Sequence, residues 1–300
     1  MEEKMSFIKR LYVEHQARKR VMLSRSRVGN FFVFLFLLLI CAFMILPILY
    51  SCIQSLKPMD EIFAYPPKFF VRNPTFENFR QVFKLADNLW VPFTRYLFNS
   101  LFISVVGTGV YVIIASLAAY PLAKAKMRGL FIISQLIVWT LLFRPEVTAI
   151  PQYIIIAKLG LVDTYGSLIL PTLASTMGVF LMKQFITASI PDSLLEAARL
   201  DGASEFRVFF SIVMPAVKPA WMTMIIFTFQ TFWNNGGTQQ YIYSESLKGL
   251  ASALSAIVSG GIARTGAASA VSVIMMIPPI AVFIFTQSSV METMTHSGLK

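Results

Sequence analysis

The sequence predicts an all-α polytopic membrane protein with six transmembrane helices, and three observations predict it. Hydrophobic residues make up 56% of the chain and charged residues 14%, with a mean hydropathy of +0.66; soluble domains carry about 25% charged residues. A bilayer core of about 30 Å needs roughly 20 apolar residues in a helix, and six apolar runs approach that length. The charge excess, 26 Lys and Arg against 15 Asp and Glu, is arranged as a topology signal. So apolar a chain with so few charges is no soluble nucleic-acid binder, and no nucleic-acid partner is expected.

Residues 1–28 form a basic segment, with Lys4, Lys9, Arg10, Arg18, Lys19, Arg20, Arg25 and Arg27 against three acids. Short cytoplasmic segments carry the Lys and Arg excess, which puts this terminus inside. The first span, within 29–53, holds the run Phe31 to Tyr50. That run has no charge, is too long for a signal-peptide core and is followed by no small-residue cleavage site, so it reads as a retained helix. Residues 54–96 are then external. The remainder, 97–290, holds the runs Leu97 to Tyr120, Leu130 to Phe143, Ser167 to Met182, Ala216 to Trp233 and Ala267 to Gln287. The third run is short and the fourth contains Pro171. Alternation puts the link bearing Lys124, Lys126 and Arg128 inside, an independent check on direction. External loops fall at about 144–166 and 234–266, and the tail 291–300 returns to the cytoplasm.

Small residues four apart, Ser104 with Thr108 and Ala115 with Ala119, suit close helix packing in lipid. Cys41 and Cys52 are separated by roughly 16 Å of helix, too far for a disulfide. His15 and His296 stand apart from any carboxylate or Cys cluster with metal spacing, so no metal site is expected.

One cytoplasmic stretch, 189–215, is polar between apolar runs, and its local signals describe an elbow. Pro191 suits a helix start, Ser193 and Glu196 have capping-box spacing, and Asp201-Gly202 is a natural stop. Ser204 then caps a second helix through Phe206, Val208, Phe209 and Ile212, ending near Pro215. The rival is an amphipathic helix on the membrane surface. Such helices usually carry a strongly basic polar face, whereas here Asp192, Glu196, Asp201 and Glu205 balance Lys183, Arg199, Arg207 and Lys218. A neutral capped elbow suits a protein partner better.

Glu196-Ala197-Ala198, Gly202, Ile212 and Pro215, at spacings of three, nine and two intervening residues, resemble the EAA motif of ATP-binding-cassette importer permeases, with Met214 where Leu is usual. Asn99-Ser100, the stretch Ile150 to Pro171 and Trp233-Asn234 resemble the carbohydrate-uptake, MalG-like, binding-protein-dependent subgroup. The NNGG at 234–237 and the ETMTHSGLK ending resemble permeases for pectin-derived oligosaccharides such as rhamnogalacturonan fragments. Asn235-Gly236-Gly237 departs from the subgroup's usual Asp-hydrophobic continuation. The resemblance implies a MetI-like permease core with an extra N-terminal helix, in a bacterial cytoplasmic membrane. It implies a second homologous permease subunit, two copies of a cytoplasmic ABC ATPase and an extracytoplasmic sugar-binding protein as partners, with an oligosaccharide as substrate. Glu196 would anchor the ATPase, Ala197 and Ala198 permit close approach, and Asp201-Gly202 make the turn.

No Gly-x-x-x-x-Gly-Lys-Ser/Thr loop is present, so ATP hydrolysis by that route is not expected of this chain. The resemblance places ATP and Mg in the partner ATPase, with no cofactor here. No Ser/His/Asp arrangement is visible, and no catalytic residue is expected. A neutral, hydroxyl-rich sugar needs hydrogen-bonding side chains and aromatic faces in a wet cavity. Asn99, Gln135, Gln230 and Gln287, with Tyr111, Trp139 and Trp233 as stacking surfaces, are the candidates inside the spans. The amides serve equally well as helix glue, and Trp233 as an interfacial aromatic. Arg144 and Glu146 read as an interfacial ion pair. Ser259, Gly260, Gly261 and Ile262, by the resemblance, lie where a loop reaches toward the delivering protein. A stand-alone secondary transporter would show internal repeats and ion-coupling acids in its spans, and neither is found.

Overall fold

A computed structural model describes residues 27–87, 91–125, 127–143, 145–234 and 240–297. The basic segment before Arg27, Lys126 and Asn235-Gly236-Gly237 lie outside the described residues, as do Arg144 and the side chains of Arg128, Glu146, Ile262 and Met291 onward. The chain divides into two compact units at Cys52 and Ile53.

All six apolar runs fall on helices. Helix α1 (Arg27–Ser55), which lies in the first unit up to Cys52, carries apolar side chains on every side there, the pattern of a helix made for lipid rather than for one packed face. In the second unit the helices are α2 (Glu77–Asp87), α3 (Phe93–Lys124), α4 (Arg128–Thr140), α5 (Pro145–Lys158), α6 (Tyr165–Leu173), α7 (Thr176–Ser189), α8 (Asp192–Leu200), α9 (Glu205–Ala216), α10 (Lys218–Asn234), α11 (Leu250–Val258) and α12 (Thr265–Ser297). Helices α1, α3 and α12 are each long and apolar enough to span. The pairs α6 with α7, bent by 42°, and α9 with α10, bent by 78°, pass the same test together. Helix α4, the third run, has 13 residues, about 20 Å at 1.5 Å each, and stops at Thr140 rather than Phe143. Arg264 and Thr265 mark the start of α12.

Helix α3 is the axis of the second unit. Its small residues permit close approach: Ser104, Thr108, Ala115 and Ala119 are all buried, and a Cβ at Gly107 would come within 2.5 Å of the Phe232 ring on α10. Two clusters pack against its two ends. One gathers Ala115, Ala119, Met182, Ile186, Leu195, Val208, Val213 and Val217 around the elbow. The other gathers Phe93, Tyr96, Phe229, Trp233, Leu250, Ile257, Ala270 and Val271 at the far end.

The stretch 54–96 is more ordered than a plain loop. The Glu61 carboxylate accepts from the backbone N–H groups of Arg72 and Asn73 at 2.9 and 2.8 Å. Asn78, buried on α2, donates to the carbonyls of Ser55 and Lys57. At the far end of α3 a second polar knot forms. Asp163, in the left-handed region at φ 60°, accepts from the backbone of Tyr243 and Ser244 and from the Ser244 hydroxyl. Its partial burial disfavours the charge, but the Ser244 and Tyr243 donors outweigh this and hold the carboxyl below its ordinary value.

Candidate functional site

Residues 192–216 form two helical arms that meet at Gly202, and one of the local signals turns out differently. Helix α8 starts at Asp192 with Pro191 as N-cap and no side-chain cap, so Ser193 lies inside the helix and the capping box is not made. A basic neighbour takes over the entry: the Lys124 ammonium at the end of α3 bonds Asp192 at 2.8 Å and the Ile190 carbonyl. The stop is as expected. Gly202 has φ +79°, and its N–H and that of Ala203 return to the Arg199 and Ala198 carbonyls at 3.0 and 3.1 Å, closing the helix end. Ser204 caps the second arm, accepting from the Arg207 N–H. That arm ends near Pro215, as expected, at Ala216. It runs through a π-turn, Phe209–Val213, and is followed by the irregular Val217 (φ −101°, ψ 23°) before α10 departs.

Leu195 and Ala198 are buried in the bundle, while Glu196, Ala197 and Leu200 face outward, Leu200 at 89% exposure. Ile212 is half-buried and Pro215 exposed. The arms are tied by Arg199, which donates to Glu205 at 2.7 and 3.4 Å, and Glu205 also accepts from the Tyr120 hydroxyl at 2.8 Å. Arg199 first, then Tyr120, hold the Glu205 carboxyl below its usual range against a small burial effect.

A second feature is a cavity of about 790 Å³ bounded by α3, α4, α5, α6, α7 and α10. Hydroxyls and one amide dominate its polar lining: Tyr111, Thr140, Thr148, Gln152, Thr172, Ser175, Thr176, Thr228 and Thr231, with Phe143 and Phe227 as aromatic walls. Among the described residues no charged side chain lines it. The break between α6 and α7 opens into it. Tyr111 holds that break, donating to the Ser175 carbonyl at 3.0 Å and accepting from the Gly178 N–H at 2.9 Å. A Cβ at residue 178 would come within 2.3 Å of the same hydroxyl.

Of the seven pathway candidates, Tyr111 lines this cavity. Asn99 is buried at the far end of α3, where it donates to the Ser246 and Lys248 carbonyls at 2.9 Å and accepts from Tyr165 at 2.7 Å. Trp233 is buried, donates to the Met275 carbonyl at 2.9 Å and stacks on Phe229. Gln135, Trp139, Gln230 and Gln287 are exposed on α4, α10 and α12 and do not line this cavity. The hydroxyl lining was missed because Ser and Thr in helices usually satisfy themselves on the preceding turn; Thr231 does so at the Phe227 carbonyl. The available signal was the clustering of Thr172, Ser175 and Thr176 at the helix break. Beyond α11, Ser259, Gly260 and Gly261 are exposed, with Gly261 at φ +77°.

Fold and site together define a polytopic helical membrane protein with a bent elbow that is buried on one face and exposed on the other. Residues 125–285 match the family described as binding-protein-dependent transport system inner membrane component, and the chain belongs to that family. Among its relatives, the polygalacturonan/rhamnogalacturonan transport system permease protein YtcP of Bacillus subtilis is 31% identical over 75% of this chain and 76% of its own length. The arabinooligosaccharides transport system permease protein AraQ of the same organism is 29% identical over 89% and 94%. The sn-glycerol-3-phosphate transport system permease protein UgpE of Pectobacterium atrosepticum is 31% identical over 80% and 87%. A solved bacterial ABC transporter involved in the import of the acidic polysaccharide alginate has a chain that superposes with a TM-score of 0.76 at 23% identity, over 89% of this chain and 99% of that one. That likeness bears out the permease fold.

Proposed function

We propose that this chain is one permease half of an ATP-driven importer for an oligosaccharide, pectin-derived in the narrower reading. A second homologous permease completes the pathway, two copies of a cytoplasmic ABC ATPase grip the elbows, and an extracytoplasmic binding protein delivers the sugar. Both termini are cytoplasmic, ATP and Mg belong to the ATPase, and this chain holds no cofactor and catalyses no reaction. The observation that carries the reading is the elbow: its inner face, Leu195 and Ala198, is anchored in the bundle while Glu196, Ala197 and Leu200 project away from it. A short helix anchored on one side and bare on the other is suited to fill a cleft in a partner.

The sugar reading is supported by the cavity, whose hydroxyls, amide and aromatic rings suit a neutral polyol surface, and by two relatives whose printed substrates are oligo- or polysaccharides. Closure of the ATPase would shift the bundle between inward- and outward-open states. Ser259, Gly260, Gly261 and Ile262 would meet the binding protein. The test is co-expression with the neighbouring transport genes, followed by capture on the tagged chain and uptake of labelled oligogalacturonides, arabinooligosaccharides and glycerol phosphate into vesicles. ATP-dependent uptake of one of the sugars, abolished when 259–262 is shortened while the complex stays assembled, is the expected result. Uptake of glycerol phosphate alone overturns the sugar reading, and uptake by this chain without an ATPase overturns the importer reading.

A further inference from the structure

We infer that α3, rather than the two helices continuous with the elbow in sequence, carries elbow movement to the cavity, with Tyr120 and Lys124 as the positioning residues. This rests on the elbow being the ATPase handle.

Chain continuity nominates α7 and α10 as levers, yet neither joint is regular α-helix. Helix α7 meets α8 through the extended Ile190 and Pro191. The second arm reaches α10 through a π-turn and the irregular Val217, and α10 leaves at 78°. Interrupting the i to i−4 ladder removes the bonds that make a helix a stiff rod.

Helix α3 is not adjacent to the elbow in sequence and still bonds both arms. Lys124, its side chain only 8% exposed, holds the first arm at Asp192 and the Ile190 carbonyl. Tyr120, one turn earlier, donates to Glu205 on the second arm at 2.8 Å, and Glu205 in turn holds Arg199 of the first. The Tyr120 ring also rests on Phe209, with centroids 5.7 Å apart. The end of α3 and the second arm do not pack flush. An open groove of about 410 Å³, walled by Leu117, Pro121, Phe206 and Phe209, runs beside these contacts. The polar bonds therefore fix orientation while leaving room for the arm to approach.

From Tyr120, α3 continues as helix to Tyr111, roughly 14 Å away at 1.5 Å per residue. Pro121 removes one rung, at the Leu117 carbonyl, and only at the elbow end of this stretch. Tyr111 is the residue that holds the α6–α7 break beside the cavity. One stiff element therefore joins the elbow to the cavity wall.

The experiment uses the assembled complex, with Cys41 and Cys52 replaced by alanine and Thr231→Cys as a reporter in the cavity. The rate at which an impermeant maleimide labels that cysteine is measured with and without ATP and Mg. Tyr120→Phe keeps the ring on Phe209 and removes only the hydroxyl. It should leave the ATPase attached while cutting the nucleotide-dependent change in labelling on the order of tenfold, the equilibrium factor expected for a charge-assisted hydrogen bond. Glu205→Gln, which still accepts from Tyr120 but loses the Arg199 ion pair, should give a smaller loss. A full nucleotide-dependent change in Tyr120→Phe with the ATPase attached overturns the inference. If the unsubstituted chain captures no ATPase, the handle itself is refuted, an outcome recognisably different from the first.

Discussion

Gly202→Ala isolates the backbone at the corner of the elbow. Nothing lies within 4 Å of where its Cβ would project, so no steric clash enters and the cost comes from φ alone. At φ +79° an L-residue with a Cβ pays about 1–2 kcal/mol. The turn can relieve that strain only by opening, which breaks the Gly202 and Ala203 N–H bonds that close α8. Either route lowers the population of the correctly bent elbow about 5- to 30-fold, and ATPase affinity falls by the same factor if the bent form is the one captured. Titrating purified ATPase onto the detergent-solubilised chain reads this out, with thermal unfolding followed in parallel to separate bending from global loss. Gly202→Asn should recover part of the loss, because Asn tolerates the left-handed region. Wild-type affinity in the alanine variant, or an asparagine variant weaker than alanine, would refute the reasoning.

Two further expectations follow from the packing and the charges. Gly107→Ala places a methyl 2.5 Å from the buried Phe232 ring and should cost about 1–3 kcal/mol through overpacking, whereas Gly109→Ala, with open space around it, should be neutral or stabilising by up to about 1 kcal/mol; thermal unfolding in detergent distinguishes them. The Glu205 carboxyl is depressed, so its contribution is complete above the ordinary carboxylate value and is lost as pH falls through the lower folded value. The difference in ATPase capture between wild type and Glu205→Gln should therefore stay constant from pH 8 to about 5 and shrink only below about 4.5; a change between pH 6 and 8 would contradict the assignment.

The elbow was legible because its signals are local. Gly202 marks a left-handed corner and Ser204 a cap whatever the rest of the chain does, and both stand as expected. Ser193 misled because its capping spacing competes with a partner 68 residues away in sequence, Lys124, which draws Asp192 and Ile190 to the end of α3. The cavity was nearly illegible. Its lining comes from six helices, one or two hydroxyls or amides from each, and each such residue alone is unremarkable in a helix. The conspicuous polar and aromatic residues went elsewhere: Asn99 and Trp233 are spent on buried hydrogen bonds.

By itself the sequence determined that the chain lies in a membrane, that it is helical and where its elbow bends, because hydropathy, periodicity and turn chemistry act over a few residues. The tertiary structure decided which helix ends meet the elbow, where the fourth and fifth runs break, and which hydroxyls share a space. Those outcomes depend on contacts between segments tens to hundreds of residues apart, whose closeness no local pattern encodes.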